Sequence, residues 1–276
     1  MLRHVKRQIL SVGGLGAILA VSAVAFAQAP QTPKTGAAKT AKAAEPARPH
    51  DIEGAWMGSP GPTRFGDVGE LTAWGKEQFD ANKPFNAPEG RIVPVGESND
   101  PLSKCDPLGF PRDIFYETRG IDFVQTQRRV LELFQYQRIW REIWTDGRKL
   151  PVNVGNDKPD SVDPRWYGYS IGHWDGDYTF VVETTGVDER GWLDTYGYPH
   201  SAQLKTEERY RRVDHDNLEI IVKIDDPKAY VKPFVTKPQV LKWNPKEEVD
   251  EQMCVPSEAE AYWDAIGSPG AGTKTK

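Results

Sequence analysis

The side chains best suited to acid–base chemistry are few. Beyond His4 and His50 near the start, only His173, His200 and His215 remain. His200 follows Pro199 in a segment dense with Trp192, Asp194, Tyr196 and Tyr198. A carboxylate such as Asp194 can orient an imidazole and fix its tautomer, leaving the other ring nitrogen as a base. In that reading His200 is the catalytic base and Asp194 its orienter. Arg165 or Tyr167 then steadies a developing oxyanion, and the reaction is a hydrolysis, lyase or isomerase step with no bound cofactor. The competing reading is that His200 and Asp194 only tie down a loop. His173, one residue before Trp174, reads as packed or hydrogen-bonded, and His215, between Asp214 and Asp216, as an exposed turn residue. The three histidines stand 27 and 15 residues apart with no close pair, so no metal site is expected. The chain has no Gly-rich phosphate loop, no Gly-x-Ser-x-Gly elbow and no Cys-x-x-Cys, so no nucleotide or other cofactor is expected.

Aromatic side chains are the strongest local signal. Trp140, Trp144, Trp166, Tyr167, Tyr169, Trp174, Trp192, Tyr196 and Tyr198 fall within 59 residues, interleaved with Arg138, Arg141, Arg148 and Arg165. Aromatic faces stack on sugar C–H groups or ring compounds, and guanidinium groups grip carboxylates in a fork. A pocket lined this way suits a small saccharide, aromatic or anionic ligand. Arg165, Tyr167, Tyr169, His173, Trp192 and Tyr198 are its candidate contacts, centred on loop 192–201 and strand 165–174. Tyr167 and Tyr169 share one face if that strand is regular. Strands also use aromatics for packing, so about half of these rings belong to the core on the plainer reading.

The elements that must position these groups read as strands. Ile121–Gln125 and Val130–Tyr136 flank an Arg128-Arg129 connection. Arg138–Trp144 ends at the Asp146-Gly147 turn. Trp166–Trp174 and Thr179–Thr184 flank Asp175-Gly176-Asp177. Glu208–Val213 leads through a polar turn into the clearest alternation, with Leu218, Ile220, Val222 and Ile224 inward. Ile221 breaks the outer face, so that face is expected to be partly covered. Successive strands with short polar turns predict an all-β antiparallel meander, closing into a β-barrel. Two short helices are expected: Thr72–Asn82 with Thr72 as cap, and Ser257–Ile266 with Ser257 as cap.

Cys105 and Cys254 are the only cysteines. In an oxidising compartment the default is one disulfide; two separate thiols or a shared metal site are the alternatives, and no His lies at metal-motif spacing from either. The compartment is read from the start of the chain. Arg3, Lys6 and Arg7 precede an apolar stretch from Ile9 to Phe26, and Ala25-Phe26-Ala27 offers a small-residue cleavage site before Gln28. This is the pattern of a secretory signal peptide over residues 1–27; a retained N-terminal anchor is the rival. Residues 28–50 hold no large apolar side chain and read as a disordered spacer, and 267–276 as a flexible tail. A single β domain over 51–266 lies between. Removing 1–27 takes away three basic residues and no acid, leaving 32 basic and 40 acidic residues, a balance of −8. With no long Lys/Arg run, nucleic acid is not an expected partner, and no membrane span is expected after cleavage. The expected localisation is periplasmic or secreted, in a bacterium.

Two resemblances add to this. Gly54-Ala55-Trp56 on the first strand resembles the opening of lipocalins (calycins), where the Trp packs across the closed end of a barrel beneath an Arg from late in the chain. That resemblance implies a ligand held in the barrel mouth. The segments NDPLSKCDPLGFPR (99–112), WREIWTDGRKLP (140–151), DPRWYGYSIGHWDGD (163–177), WLDTYGYPHS (192–201), ERYRRVD (208–214) and IDDPKAYVKPF (224–234) are similar to a family of exported proteins of soil and environmental bacteria. Its members read His-Val-Thr-Glu-Arg where this chain has Lys205-Thr206-Glu207-Glu208-Arg209, and they lack Tyr178. The resemblance implies export and a β fold and carries no catalytic assignment.

Overall fold

The computed structural model describes residues 46–58, 66–85, 90–116, 120–246 and 250–267. The expected signal segment 1–27, residues 28–45 of the expected spacer and the tail from 268 onward lie outside the described residues. Ten strands follow in order: β1 Gly54–Met57, β2 Ile121–Gln125, β3 Arg129–Phe134, β4 Trp140–Trp144, β5 Tyr169–Asp175, β6 Thr179–Thr185, β7 Lys205–Asp214, β8 Asn217–Asp225, β9 Phe234–Val235 and β10 Gln239–Trp243. Each of β1 to β8 pairs with the next, and β10 pairs with both β1 and β8. This closes a nine-strand barrel, with the two-residue β9 attached to β8. Closure leaves no long unpaired edge.

The expected antiparallel order holds at every junction but one. β4 and β5 run parallel and pair only at Ile143↔Ser170 and Trp144↔Ile171. A parallel pair needs a long crossover. Residues 145–168 supply it, folded on themselves through a Val154↔Val162 bridge. The Asp146-Gly147 turn therefore ends β4 without starting a hairpin. Strand β5 also begins later than the expected Trp166. Gly168 sits at φ +62, and a Cβ there would lie 2.6 Å from the Thr185 carbonyl oxygen. The left-handed residue breaks the alternation, so Tyr167 and Tyr169 do not share a regular strand face.

Alternation along the strands fills the interior. Leu218, Ile220, Val222 and Ile224 are fully buried, and Ile221 is half-buried. They join Trp56, Phe123, Val130, Phe134, Ile143, Phe180, Val182 and Tyr210 in one core. At one end Trp56 is fully buried, donates from Nε1 to the Ile52 carbonyl, and lies under the Arg212 guanidinium, 4.8 Å from ring centre. Arg212 donates to the carbonyls of Asp51 and His215. The last spacer residue is held here too: the His50 N–H donates to the Asp177 carbonyl and its ring lies 5.0 Å from Trp174.

The opposite end is stopped by residues 100–116. Leu108, Phe110, Arg112, Asp113, Ile114 and Phe115 are all buried. Arg112 donates both terminal nitrogens to Asp100 at 2.8 and 2.7 Å, and the Phe110 N–H donates to the Trp166 carbonyl. Cys105 and Cys254 form a disulfide with Cα atoms 5.2 Å apart, tying this plug to the C-terminal segment. Helix α1, Ala73–Ala81, has Thr72 accepting from the Gly75 N–H as its cap. It lies close enough to the Ala229 carbonyl that a Cβ at Gly75 would meet it at 2.2 Å. Helix α2, Pro256–Tyr262, starts one residue earlier than expected, with Val255 at the cap position and Pro256 in the first turn rather than a Ser257 cap. Proline suits that position because the first-turn N–H has no intrahelical partner. No described helix is long and apolar enough to cross a membrane.

The bridge closes a loop of 149 residues. Replacing both cysteines by Ala is expected to cost about 2–5 kcal/mol in urea unfolding. The far-ultraviolet spectrum of the barrel should persist. Equal midpoints for the native and double-Ala proteins would show that the plug holds without its staple.

Candidate functional site

Two polar assemblies meet at the β4–β5 junction, one inside the barrel and one outside. The inner one is built by strand alternation. Glu132 on β3, Arg141 on β4, Ser170 on β5, Thr184 on β6 and Glu208 on β7 all point inward and all are buried. Arg141 engages all five of its N–H donors. Nε donates to Ser170, one terminal nitrogen to Glu132 and Glu208 at 3.0 and 2.8 Å, and the other to Thr184 and Glu208 at 2.5 and 3.0 Å. Its guanidinium lies 3.7 Å over the ring of Phe110 from the plug. The Tyr210 hydroxyl reaches Glu132 at 3.0 Å and Glu208 at 3.2 Å. Two carboxylates face one cation. Burial, opposed by the Arg141 charge, pushes Glu132 up to about 7.

A third buried acid lies beside them. Asp113 of the plug accepts from the Tyr167 hydroxyl at 2.6 Å through Oδ2, while its Oδ1 has no partner among the described residues. Burial pushes its carboxyl up to about 8, against the lowering effect of the Tyr167 hydrogen bond. Tyr167 stacks on Phe134 with ring centres 5.6 Å apart.

The outer assembly is an open cleft of about 710 Å³ lined by residues 140–142, 144, 148–151 and 165–171. It forms because β4 and β5 are paired over two positions only, and the chain before Ser170 parts from β4. The floor is reached by Arg141, Tyr167 and Ser170. The walls carry Trp140, Trp144, Trp166, Tyr169, Arg148, Lys149 and Arg165. Several wall groups are already engaged. Trp144 has the Arg148 guanidinium 3.4 Å over its ring and Arg129 at 5.2 Å, and Arg148 is bonded to Asp146 through two nitrogens. Trp166 lies 4.5 Å under Arg190, and Glu142 is paired with Arg129. Trp140 is different. It is 63% exposed, with no ring or cation over its face among the described residues. Arg165 and Lys149 likewise have no ion-pair partner there.

Of the residues expected from sequence to bind a ligand, Arg165, Tyr167 and Tyr169 line this cleft. His173, Trp192 and Tyr198 do not. His173 is exposed on β5, away from it. Trp192 is buried with Arg112 5.6 Å over its ring, and Tyr198 packs on Phe79 of α1 at 4.5 Å. Loop 192–201 is a packed wedge beside the plug and contributes nothing to the cleft lining, contrary to the placement expected for a site there.

The expected His200–Asp194 pair is not assembled. Asp194 Oδ1 accepts the N–H groups of Tyr196 and Tyr198 at 2.9 and 3.2 Å, which folds the loop back on itself. His200 is buried with Nδ1 3.3 Å from the Ser201 carbonyl oxygen, and burial lowers its basicity. No hydrogen bond joins the two side chains. The nearest carboxylate influences on His200 come from Asp226, Asp188 and Glu189. Asp226 in turn holds the Ser201 N–H and hydroxyl. In this geometry Asp194 closes its own loop and does not orient His200.

The inner acids are marked in the sequence only by their strand phase. Glu132 shares phase with Val130 and Phe134, and Glu208 with Thr206 and Tyr210. A carboxylate in phase with core residues needs an inward cation, and Arg141 shares phase with Ile143. Among the described residues no His, Cys, Asp and Glu cluster is arranged to hold a metal ion. No family model, curated protein or solved structure matches this chain.

The raised Asp113 carboxyl sets a direction for stability. Between about pH 4 and 8 the unfolded chain has released this proton while the folded chain still holds it, so stability falls as pH rises through that window. Asp113→Asn keeps the acceptor for Tyr167 and removes the titration. Its thermal midpoint is expected to exceed that of the native protein at pH 8.5 and to match it near pH 4. A difference that stays constant with pH would refute a buried neutral acid. Arg141→Met strands two buried carboxylates and should cost about 3–5 kcal/mol near pH 8. The loss should shrink at pH 5, where protons replace the missing cation, and urea unfolding at the two values checks both numbers.

Proposed function

We propose that this chain is an exported bacterial protein that holds a small saccharide, aromatic or anionic molecule in the cleft at the β4–β5 junction. The observation that carries the reading is the cleft itself. Among the described residues, one indole face without a stacking partner, Trp140, and two cations without an ion-pair partner, Arg165 and Lys149, surround a cavity of drug-molecule size. The barrel mouth is not offered as the site. The plug and the Arg141 network fill that end with side chains. Export to the periplasm or beyond is supported by the charged, apolar and small-residue pattern of 1–27 and by the Cys105–Cys254 bridge, which belongs in an oxidising compartment. The expected resemblance to exported soil-bacterial proteins, in the segments around 105, 165 and 210, would point the same way.

A His-based activity at His200 is not proposed, since Asp194 is occupied by two backbone amides. Intrinsic tryptophan fluorescence during titration with neutral sugars, sugar acids and aromatic acids is expected to show saturable change with at least one class. Trp140→Ala, a surface change, should weaken that binding at least tenfold while leaving the thermal midpoint unchanged. A panel that yields no binder by fluorescence or calorimetry would refute a ligand site in this cleft. Protein recovered from the envelope of the native host should begin near Gln28, and intact mass retaining Met1 would refute cleavage.

A further inference from the structure

The charges around the cleft are not balanced as they are elsewhere in the chain. Once residues 1–27 are removed the protein is acidic by eight charges. Yet Arg141, Arg148, Lys149 and Arg165 line the cleft against a single carboxylate, Glu142. Three of these five groups are neutralised in place: Glu142 by Arg129, Arg148 by Asp146, and Arg141 by Glu132 and Glu208. The unanswered charge is that of Arg165 and Lys149.

Arg165 is held as a recognition group is held. Its N–H donates to the Gly186 carbonyl at 3.0 Å, and its own carbonyl accepts from Gly168 and Asp188 at 3.0 and 2.9 Å. Its guanidinium lies 4.3 Å over the ring of Tyr169, whose hydroxyl is fixed to the Asp163 carbonyl. The backbone is thus fixed and the guanidinium is seated on Tyr169 before any ligand arrives, while no side-chain acceptor among the described residues uses the fork. A planar fork with free donors matches a carboxylate better than a neutral hydroxyl. Trp140 supplies a flat apolar face in the same cleft.

We propose, resting on the ligand-binding reading above, that the cleft selects ring compounds bearing a carboxylate. The carboxylate pairs with the Arg165 fork, Lys149 adds a second positive charge, and the ring lies on Trp140. Aromatic acids and sugar acids share this chemistry and differ in the ring. Desolvating an indole face against a flat aromatic ring or a sugar C–H face is favourable in both. The local excess of positive charge on an acidic protein also draws anions into the cleft, an effect that weakens with salt.

Calorimetric titration of the folded mature protein with four probes tests this: 4-hydroxybenzoate and its neutral counterpart 4-hydroxybenzyl alcohol, galacturonate and its neutral counterpart galactose. At least one acid is expected to bind, at least tenfold tighter than its neutral partner, and more weakly at 0.5 M than at 0.05 M salt. The acid that binds identifies the ring. Arg165→Gln, at an exposed side chain, should abolish the preference for the acid without moving the thermal midpoint. Lys149→Ala should reduce it by a smaller factor. Binding of the neutral partners as tight as the acids, or a preference for acids that survives Arg165→Gln, overturns the carboxylate assignment and leaves ligand binding in place. Absence of binding by all four probes overturns the assignment, and absence of binding across the wider panel overturns the ligand site itself.

Discussion

One guanidinium inside the barrel sets the terms for the rest of the structure. Arg141 reaches strands β3, β5, β6 and β7 from β4, and it does so with every donor occupied. A buried ion triad is weak support for stability by itself, because desolvation offsets most of the attraction. Its stronger effect is on register. A one-residue slip of β4, β3 or β7 would turn Arg141, Glu132 or Glu208 outward and strand its partners in the core. The parallel contact between β4 and β5 has only two paired positions to define it. The Arg141–Ser170 hydrogen bond and the Arg141–Thr184 bond beyond it specify that junction from inside.

The plug and the cleft both follow from this arrangement. Phe110 covers the Arg141 guanidinium, and Asp113 meets Tyr167 next to Glu132. Residues 100–116 therefore complete a polar interior that would otherwise open to water at that end. Tyr167 reaches the floor of the cleft, but its hydroxyl is committed to Asp113. Gly168 makes the division possible: its left-handed backbone sends Tyr167 inward and lets Tyr169 stand outside under Arg165. The outer cleft is the other side of the same wall, opened where the short β4–β5 pairing stops.

Much of this barrel was legible in the sequence because strand alternation is a local signal. The run Leu218 to Ile224 placed β8 and its inner face, and Thr72 placed the start of α1. The parallel junction was not legible. Nothing local distinguishes a strand that ends in a hairpin from one that ends in a crossover, and Asp146-Gly147 serves either. The cysteine pairing followed from compartment and count, whereas the plug it staples depended on long-range contacts that no local pattern records. For the site, chemistry-bearing residue types drew attention to His200 and Asp194. The deciding fact was that Asp194 accepts two backbone amides of its own loop, and only the tertiary structure supplied it. Arg165, Tyr167 and Tyr169 do fall together on one cleft, because aromatic and guanidinium groups cluster along the chain as well as in space.

The two assemblies differ in how far their polar groups are engaged. Inside, the strong polar groups of the described residues have protein partners, apart from single atoms such as Asp113 Oδ1 and Arg112 Nε. A ligand entering there would have to displace Phe110 and break charge-assisted bonds to Arg141 that it would then need to replace. Outside, the order is reversed. Trp144, Trp166, Arg148 and Glu142 are satisfied by neighbours and act as scaffold, while Trp140, Arg165 and Lys149 are left with capacity to spare. A protein surface normally disposes of such groups by pairing them or by spreading them apart. Here the crossover brings two cations without an ion-pair partner among the described residues to the Trp140 indole, on a backbone fixed by the Arg165 bonds to Gly186, Gly168 and Asp188. Rigidity in the supporting bonds together with vacancy in the side-chain donors is the combination that recognition requires, because the ordering cost has been met by folding before a ligand arrives.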